Sequence, residues 1–289
     1  MNHKKLLSLY GLKWNPFNPD LPSEALLVTP KVDHFCWRVE QMVTDGGFAL
    51  ITGETGTGKS VSLRILSDRL SGHRDVMVGV LERPQSMVTD FYRELGDVFG
   101  VKLSHSNRWG GYKMLREKWR AHIEGTYLRP VLLVDEAQEM IPQVLSELRL
   151  LSSAHFDTTS YLTVVLCGDS RLIGMFRQED LIPLGSRIRT RLVMEYATKE
   201  ELLEILDHGL EKAGNGSLLT SEVRETLVEH CAGNYRILMT MAGELLAAGM
   251  KKEAAHLDEK LYLEVFSPPS GRRREKKAVA PTTTRSRGR

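Results

Sequence analysis

FALITGETGTGKS, residues 48–60, is the stretch from which the architecture can be read. Its first half, FALITG at 48–53, is a short apolar run ending in glycine-rich sequence. That pattern reads as a buried strand feeding a turn and then a helix over 59–70. Similar runs recur at VMVGVL (76–81), VLLVDE (131–136), YLTVVLCG (161–168) and RLVMEYA (191–197), with helical periodicity between them at 87–99 and 143–152. Strands alternating with helices specify an α/β domain whose parallel sheet is covered on both faces. After residue 197 only helical patterns follow, at 198–213, 220–231, 235–248 and 257–266, with Thr220 placed as an N-cap. The expected division is an extension (1–30), an α/β domain (31–197), a small helical lid (198–266) and a basic tail (267–289).

The second half of the opening stretch carries chemistry. Gly53-Glu54-Thr55-Gly56-Thr57-Gly58-Lys59-Ser60 fits GxxxxGK[ST], with a strand before it and a helix after it as the motif requires. The glycines let backbone amides wrap phosphates, and the helix N-terminus adds its positive dipole end. Lys59 then neutralises β/γ-phosphate charge and Ser60 ligates Mg²⁺, so the expected ligands are ATP and Mg²⁺. Downstream, Val131-Leu132-Leu133-Val134-Asp135-Glu136 is an apolar strand ending in two acids. Asp135 is placed to hold the metal, directly or through water, and Glu136 to orient an attacking water. The competing reading of this pair is a cap on the next helix.

Composition bounds the rest. At 289 residues, 42% of them hydrophobic, the chain suffices for one α/β domain and a satellite. Cys36, Cys167 and Cys231 lie far apart without CxxC spacing, which argues against a disulfide framework or a zinc site and for a reduced, cytoplasmic setting. No window approaches 18 uninterrupted apolar residues, so no membrane span is expected, and MNHKKLLSLYGLKWNPF lacks a signal-peptide core. The histidines form no metal spacing.

The order of motifs is what carries a family resemblance. A P-loop, an Asp-Glu box, a polar residue after the next strand, an arginine before the last strand and another in the lid together resemble the AAA+ superfamily over about residues 31–250. Within it, Tyr10-Gly11-Leu12, Asn15-Pro16-Phe17 and Gly46-Gly47-Phe48 resemble the ExeA-type ATPases and the related transposition ATPases, among them TnsC, TniB, MuB and IstB. ExeA proteins continue into a membrane span and a cell-wall-binding part, so the basic tail here is expected to mark the transposition branch. The resemblance implies an ATPase that forms a homo-oligomeric ring or helical filament on duplex DNA and directs or activates a partner transposase. The alternative it leaves open is a secretion or envelope-assembly ATPase acting on protein partners.

Residue by residue, the resemblance places Asp169 at sensor 1, where members usually carry Asn, Gln or Thr. It places Arg187 as the arginine finger that reaches a neighbouring subunit's γ-phosphate, with Arg189 and Arg191 as competitors, and Arg236 at sensor 2 of the lid. An arginine supplied in trans adds positive charge only when subunits dock, which would couple assembly to hydrolysis.

Candidate DNA contacts come from charge. Residues 102–120 interleave His105, Arg108, Lys113, Arg116, Lys118 and Arg120 with Trp109, Tyr112 and Trp119, a mixture suited to phosphate contact with aromatic support. The other reading is a helix with Leu115 and Trp119 in the core and a solvated basic face. The tail, with Arg272, Arg273, Arg274, Lys276, Lys277, Arg285, Arg287 and Arg289 against Glu275, carries +7 within a chain of net charge +2. Such a segment attracts polyanions through counterion release and cannot bury enough apolar surface to fold alone. No helix-turn-helix or zinc finger is apparent, so any DNA contact is expected to be with backbone and shape.

Overall fold

The structure, a computed structural model, describes residues 3–103, 108–155 and 158–267. Five strands form the central sheet: β1 (Gly47–Gly53), β2 (Val76–Leu81), β3 (Arg129–Val134), β6 (Thr163–Gly168) and β7 (Ile188–Met194). Their order is β2-β3-β6-β1-β7, and every pairing is parallel. A two-stranded antiparallel ladder, β4 (Ser153–Ala154) with β5 (Thr159–Ser160), lies apart from it. The last sheet strand starts three residues earlier than the apolar run alone indicates, because its pairing with β1 begins with Phe48 opposite Ile188.

Alternation along the strands supplies both faces of the sheet. Ala49, Ile51, Val131, Leu133, Val165 and Cys167 pack against α2 (Pro30–Val43) and α3 (Lys59–Ser71). Phe48, Leu50, Leu132, Val134, Val164 and Leu166 face the other way. There they meet α4 (Val88–Val98), α5 (Arg108–Thr126), α6 (Pro142–Ser152), α7 (Ser170–Met175) and α8 (Ile182–Gly185). With both faces covered, the inner strands are apolar throughout, which is why they read as unbroken runs rather than alternating ones.

The lid contains α9 (Lys199–Ala213), α10 (Ser221–Cys231), α11 (Tyr235–Lys252) and α12 (Glu259–Phe266). Thr198 and Glu201 close a full capping box at the start of α9, while Thr220 makes no side-chain cap bond. The α1 helix (His3–Tyr10) also belongs to this layer: Leu6, Tyr10, Leu12 and Phe17 are buried with Leu202, Leu206, Leu238 and Leu245. Lys13 donates its backbone N–H to the Ala213 carbonyl at 2.8 Å, and Asn215 Nδ2 reaches the Tyr10 carbonyl at 2.9 Å. The N-terminal extension is therefore half lid core and half strap. The strap runs back across α3, where Arg64 bonds the Leu21 carbonyl and Ser23 Oγ donates to Asp68 Oδ2 at 2.5 Å.

A candidate nucleotide site at the edge of the sheet

Parallel strands put all their C-terminal ends on one edge, and the order β3-β6-β1 sets three such ends side by side. Asp135 and Glu136 leave β3, Asp169 leaves β6, and the loop from Gly53 to Ser60 leaves β1. Residues far apart in sequence are thereby brought to one line by topology alone.

The loop has the form a phosphate cradle needs. Gly56 and Gly58 have φ of +84° and +91°, a left-handed backbone open to glycine and strained for other residues. At Gly56 there is a second constraint, since a Cβ would lie 2.1 Å from Asn234 Oδ1. Thr57 Oγ1 donates to the Glu54 carbonyl at 2.8 Å, and Lys59 Nζ reaches the same oxygen at 2.9 Å. Lys59 is 8% exposed and begins α3, so its ammonium is held inside the curve of the loop beside the unbonded amides of the helix start. Ser60 follows at the surface. A glycine cradle, a buried ammonium and a helix N-terminus fit a nucleoside polyphosphate, and a hydroxyl with a nearby carboxylate fits a divalent cation.

On β3 the two acids differ. Asp135 is partly buried and accepts the Glu136 N–H at 2.9 Å through Oδ1. Burial, with a further contribution from the nearby Asp135 carboxylate, pushes the Cys167 thiol well up from its ordinary value. Glu136 is exposed and left-handed, with φ +51° and ψ +38°. Its Oε2 accepts a hydrogen bond from Gln138 Nε2, and Gln138 Oε1 accepts the Asp169 N–H at 3.1 Å. Asp169 itself is the N-cap of α7, its Oδ1 accepting the Arg171 N–H at 2.9 Å. The Arg171 guanidinium grips the same carboxylate at 2.8–3.1 Å and Glu139 at 2.9 Å, and this hydrogen bonding holds the Asp169 carboxyl below its usual value. The Asp169 side chain is thus committed to helix α7 as well as standing at the site's edge.

Two arginines lie at opposite ends of the sheet. Arg236 is exposed in the first turn of α11, whose head is bonded to the loop: Tyr235 N–H donates to the Gly56 carbonyl at 2.9 Å and Asn234 Nδ2 to the Thr55 carbonyl at 3.0 Å. Asn234 also caps α11 through Oδ1, to Arg236 N at 3.0 Å and Ile237 N at 3.2 Å. Arg187, bonded to the Pro183 carbonyl, precedes β7 and so stands at the sheet's N-terminal edge. Since Ile188 pairs with Phe48 and Met194 with Gly53, six residues at ~3.3 Å put Arg187 about 20 Å from its own phosphate loop. No arginine side chain spans that. Arg189 and Arg191 lie on the exposed face of the same strand.

The basic helix divides by contact. Leu115 and Trp119 are fully buried. Arg108 pairs with the buried carboxylate of Glu147, which also accepts Tyr92 OH at 2.6 Å. Arg116 is built into the fold, bonding the carbonyls of Leu150 and Leu151 at 3.0 Å each and that of Ser153, and lying over the rings of Tyr112 and Tyr161 at 5.2 and 5.0 Å. Lys118 reaches the Gly100 carbonyl at 3.0 Å, and Lys113 and Arg120 make loose pairs with Glu117 and Glu124 at 3.7 and 3.8 Å. Arg108, Lys113 and Arg120 are exposed, Arg108 while paired with Glu147, whereas Arg116 and Lys118 are half-buried and bonded to backbone carbonyls of the fold. His105 and the tail arginines Arg272, Arg273 and Arg274 lie outside the described residues. Among the described residues, no helix is long and apolar enough to cross a membrane.

Gln138, Asn234 and Arg171 escape a reading of the sequence. Gln138 lies two residues past the acid pair and Asn234 two before the lid arginine, but neither is a motif by itself; only the folded contacts give them a place.

Comparison with known proteins agrees with this geometry. Residues 42–176 match the family described as AAA domain. General secretion pathway protein A of Aeromonas hydrophila is 30% identical over 248 residues, a match covering 84% of this chain and 44% of that protein. The chain therefore spans less than half the length of that curated relative. Among solved structures, the Aeropyrum pernix ORC2 protein in ADPNP and ADP complexes superposes with a TM-score of 0.70 at 14% identity, over 87% of this chain and 70% of that one. The Aeropyrum pernix ORC1 protein in complex with DNA gives 0.65 at 17% identity, over 86% and 67%. Sheet order, phosphate loop and these likenesses converge: the chain has the AAA+ P-loop NTPase fold, and its residues 42–176 are similar to the AAA domain family.

Proposed function

We propose that this chain is an ATP-hydrolysing switch that assembles with copies of itself and acts on duplex DNA, directing or activating a partner transposase. The observation that carries the ATPase reading is the junction of Asn234 and Tyr235 with the carbonyls of Thr55 and Gly56, in the loop that carries Lys59. It sets the head of the lid directly on the phosphate cradle, so a change of phosphate state there is mechanically a change at the lid.

In the reaction, the oxygen of a water forms a bond to the γ-phosphorus while the bridging P–O bond to the β-phosphate breaks, and ADP leaves. Glu136 orients that water and takes its proton. Lys59 and the loop amides hold the phosphates, and Arg236 lies in the first turn of the lid helix whose head is bonded to that loop. Ser60 and Asp135 would hold Mg²⁺, which when bound neutralises phosphate charge. The placement of Arg187 about 20 Å from its own loop, six residues at ~3.3 Å each, supports a role on a neighbour's nucleotide.

The DNA reading is supported by the +7 tail and by Arg108, Lys113 and Arg120, exposed on α5. Its test is duplex-stimulated turnover together with duplex affinity across a salt series. Removing residues 268–289 is expected to flatten the slope of log affinity against log salt, by about 0.9 for each phosphate the tail neutralises. Turnover indifferent to DNA, with no duplex affinity, would contradict it. A second reading, a secretion-type ATPase working on protein partners, is favoured by the 30% match to general secretion pathway protein A, and it keeps the same ATPase core.

A further inference from the structure

We infer that Gln138 is the residue that positions the Glu136 carboxylate for hydrolysis and ties it to the end of β6, an inference that rests on the proposed role of Glu136. Gln138 is 8% exposed, and its amide is used at both ends. Its orientation follows from its partners: the Asp169 backbone N–H can only donate, so Oε1 must face it at 3.1 Å, which leaves Nε2 to donate to Glu136 Oε2. Gly168 is shaped to this amide, because a Cβ there would lie 2.5 Å from Gln138 Oε1.

Glu136 needs such a holder. It is exposed, sits in a left-handed backbone at φ +51°, and has one described side-chain partner, the Gln138 amide. Without that bond a glutamate side chain samples several rotamers, most of which point away from a bound water. The amide is also neutral, so it holds the carboxylate without adding a charge beside it. Through Asp169 the same amide is joined to the cap of α7 and to Arg171, which reaches back to Glu139. The base, the end of β6 and the start of α7 are thus one bonded unit, and α7 leads through α8 toward Arg187.

The substitutions separate these roles. Q138M keeps length and removes both bonds. Q138E keeps an acceptor for the Asp169 N–H but sets one carboxyl against another, and such a pair ionises in two steps, the second raised by repulsion. With one proton shared, the introduced carboxyl can donate to Glu136 as the amide did; fully ionised, it repels it. The experiment measures steady-state ATP hydrolysis from pH 5 to 9 and affinity for a fluorescent ATP analogue, using the full chain, with E136Q as reference.

Q138M is expected to lose about 10–100-fold in kcat, part of what a general base supplies, with KM and analogue affinity within about twofold. Q138E is expected to be least active at high pH and to recover as pH falls, in a profile the wild type does not share. Wild-type turnover in Q138M, or a Q138E profile parallel to that of the wild type, would overturn the positioning role. If E136Q turns over like the wild type, the hydrolytic reading of Glu136 fails and this inference with it. An inactive E136Q beside an active Q138M sinks the inference alone. Should Q138M fail to bind the analogue, the pH profile of Q138E decides.

Discussion

Lys59 and Glu136 divide the proposed chemistry between binding and turnover, and their substitution should separate the two. Lys59→Ala is expected to abolish nucleotide affinity, because the one ammonium inside the loop goes with it. Glu136→Gln should bind the ATP analogue as the wild type does and lose about 10²–10⁴-fold in kcat, the usual share of a general base; equilibrium binding and steady-state turnover on the same samples check both. Asp169 gives a prediction in pH. Its carboxyl is depressed mainly by the hydrogen bond from Arg171, so the stability it contributes is fully present above the ordinary carboxylate value, about 3.9, and is lost as pH falls through the folded one. Asp169→Asn should therefore lower the melting temperature by a constant amount from pH 5 to 8, with the gap to wild type closing below about pH 4. At this scale the phosphate loop and the acid pair were legible because their chemistry is contiguous in sequence. Gln138 was not, since nothing in Asp-Glu-Ala-Gln says that the last side chain turns back to the second.

The elements extend the same contrast. Strand and helix runs were readable from periodicity because buried parallel strands are apolar throughout. The fate of the first thirty residues was not, because Leu6, Tyr10, Leu12 and Phe17 are too few and too unevenly spaced to announce that they complete a core begun two hundred residues later. Phe17→Ala is accordingly expected to destabilise the lid by about 3–5 kcal/mol, read as loss of amide-exchange protection in α9 and α11. Asn234 joins lid to loop and caps α11 at once. Asn234→Ala should cost about 1 kcal/mol as a lost N-cap and should raise amide exchange at Tyr235, whose N–H bonds the Gly56 carbonyl. Unchanged exchange there would mean that the lid head is held by packing of the Tyr235 ring against Gly58 instead. The basic helix shows why charge runs read poorly from sequence: Arg108 and Arg116 find partners in α6 and the turn after it, from a stretch 30 to 40 residues away that no local window includes.

For the whole molecule, the register of β7 on β1 decides what Arg187 can do. It lies at the far edge of the sheet from its own loop, so a catalytic role requires a second copy of the chain, and each complete site is built from two subunits. Mixing two inactive proteins tests it most directly. Glu136→Gln retains a normal Arg187 and lacks the base; Arg187→Ala retains the base and lacks the arginine. Each alone is expected to show little turnover, and the mixture to recover ATP hydrolysis, as Arg187 of one protein completes the site whose Glu136 is carried by the other. A mixture as inactive as its parts, or an Arg187→Ala protein that hydrolyses ATP at the wild-type rate by itself, would contradict the account.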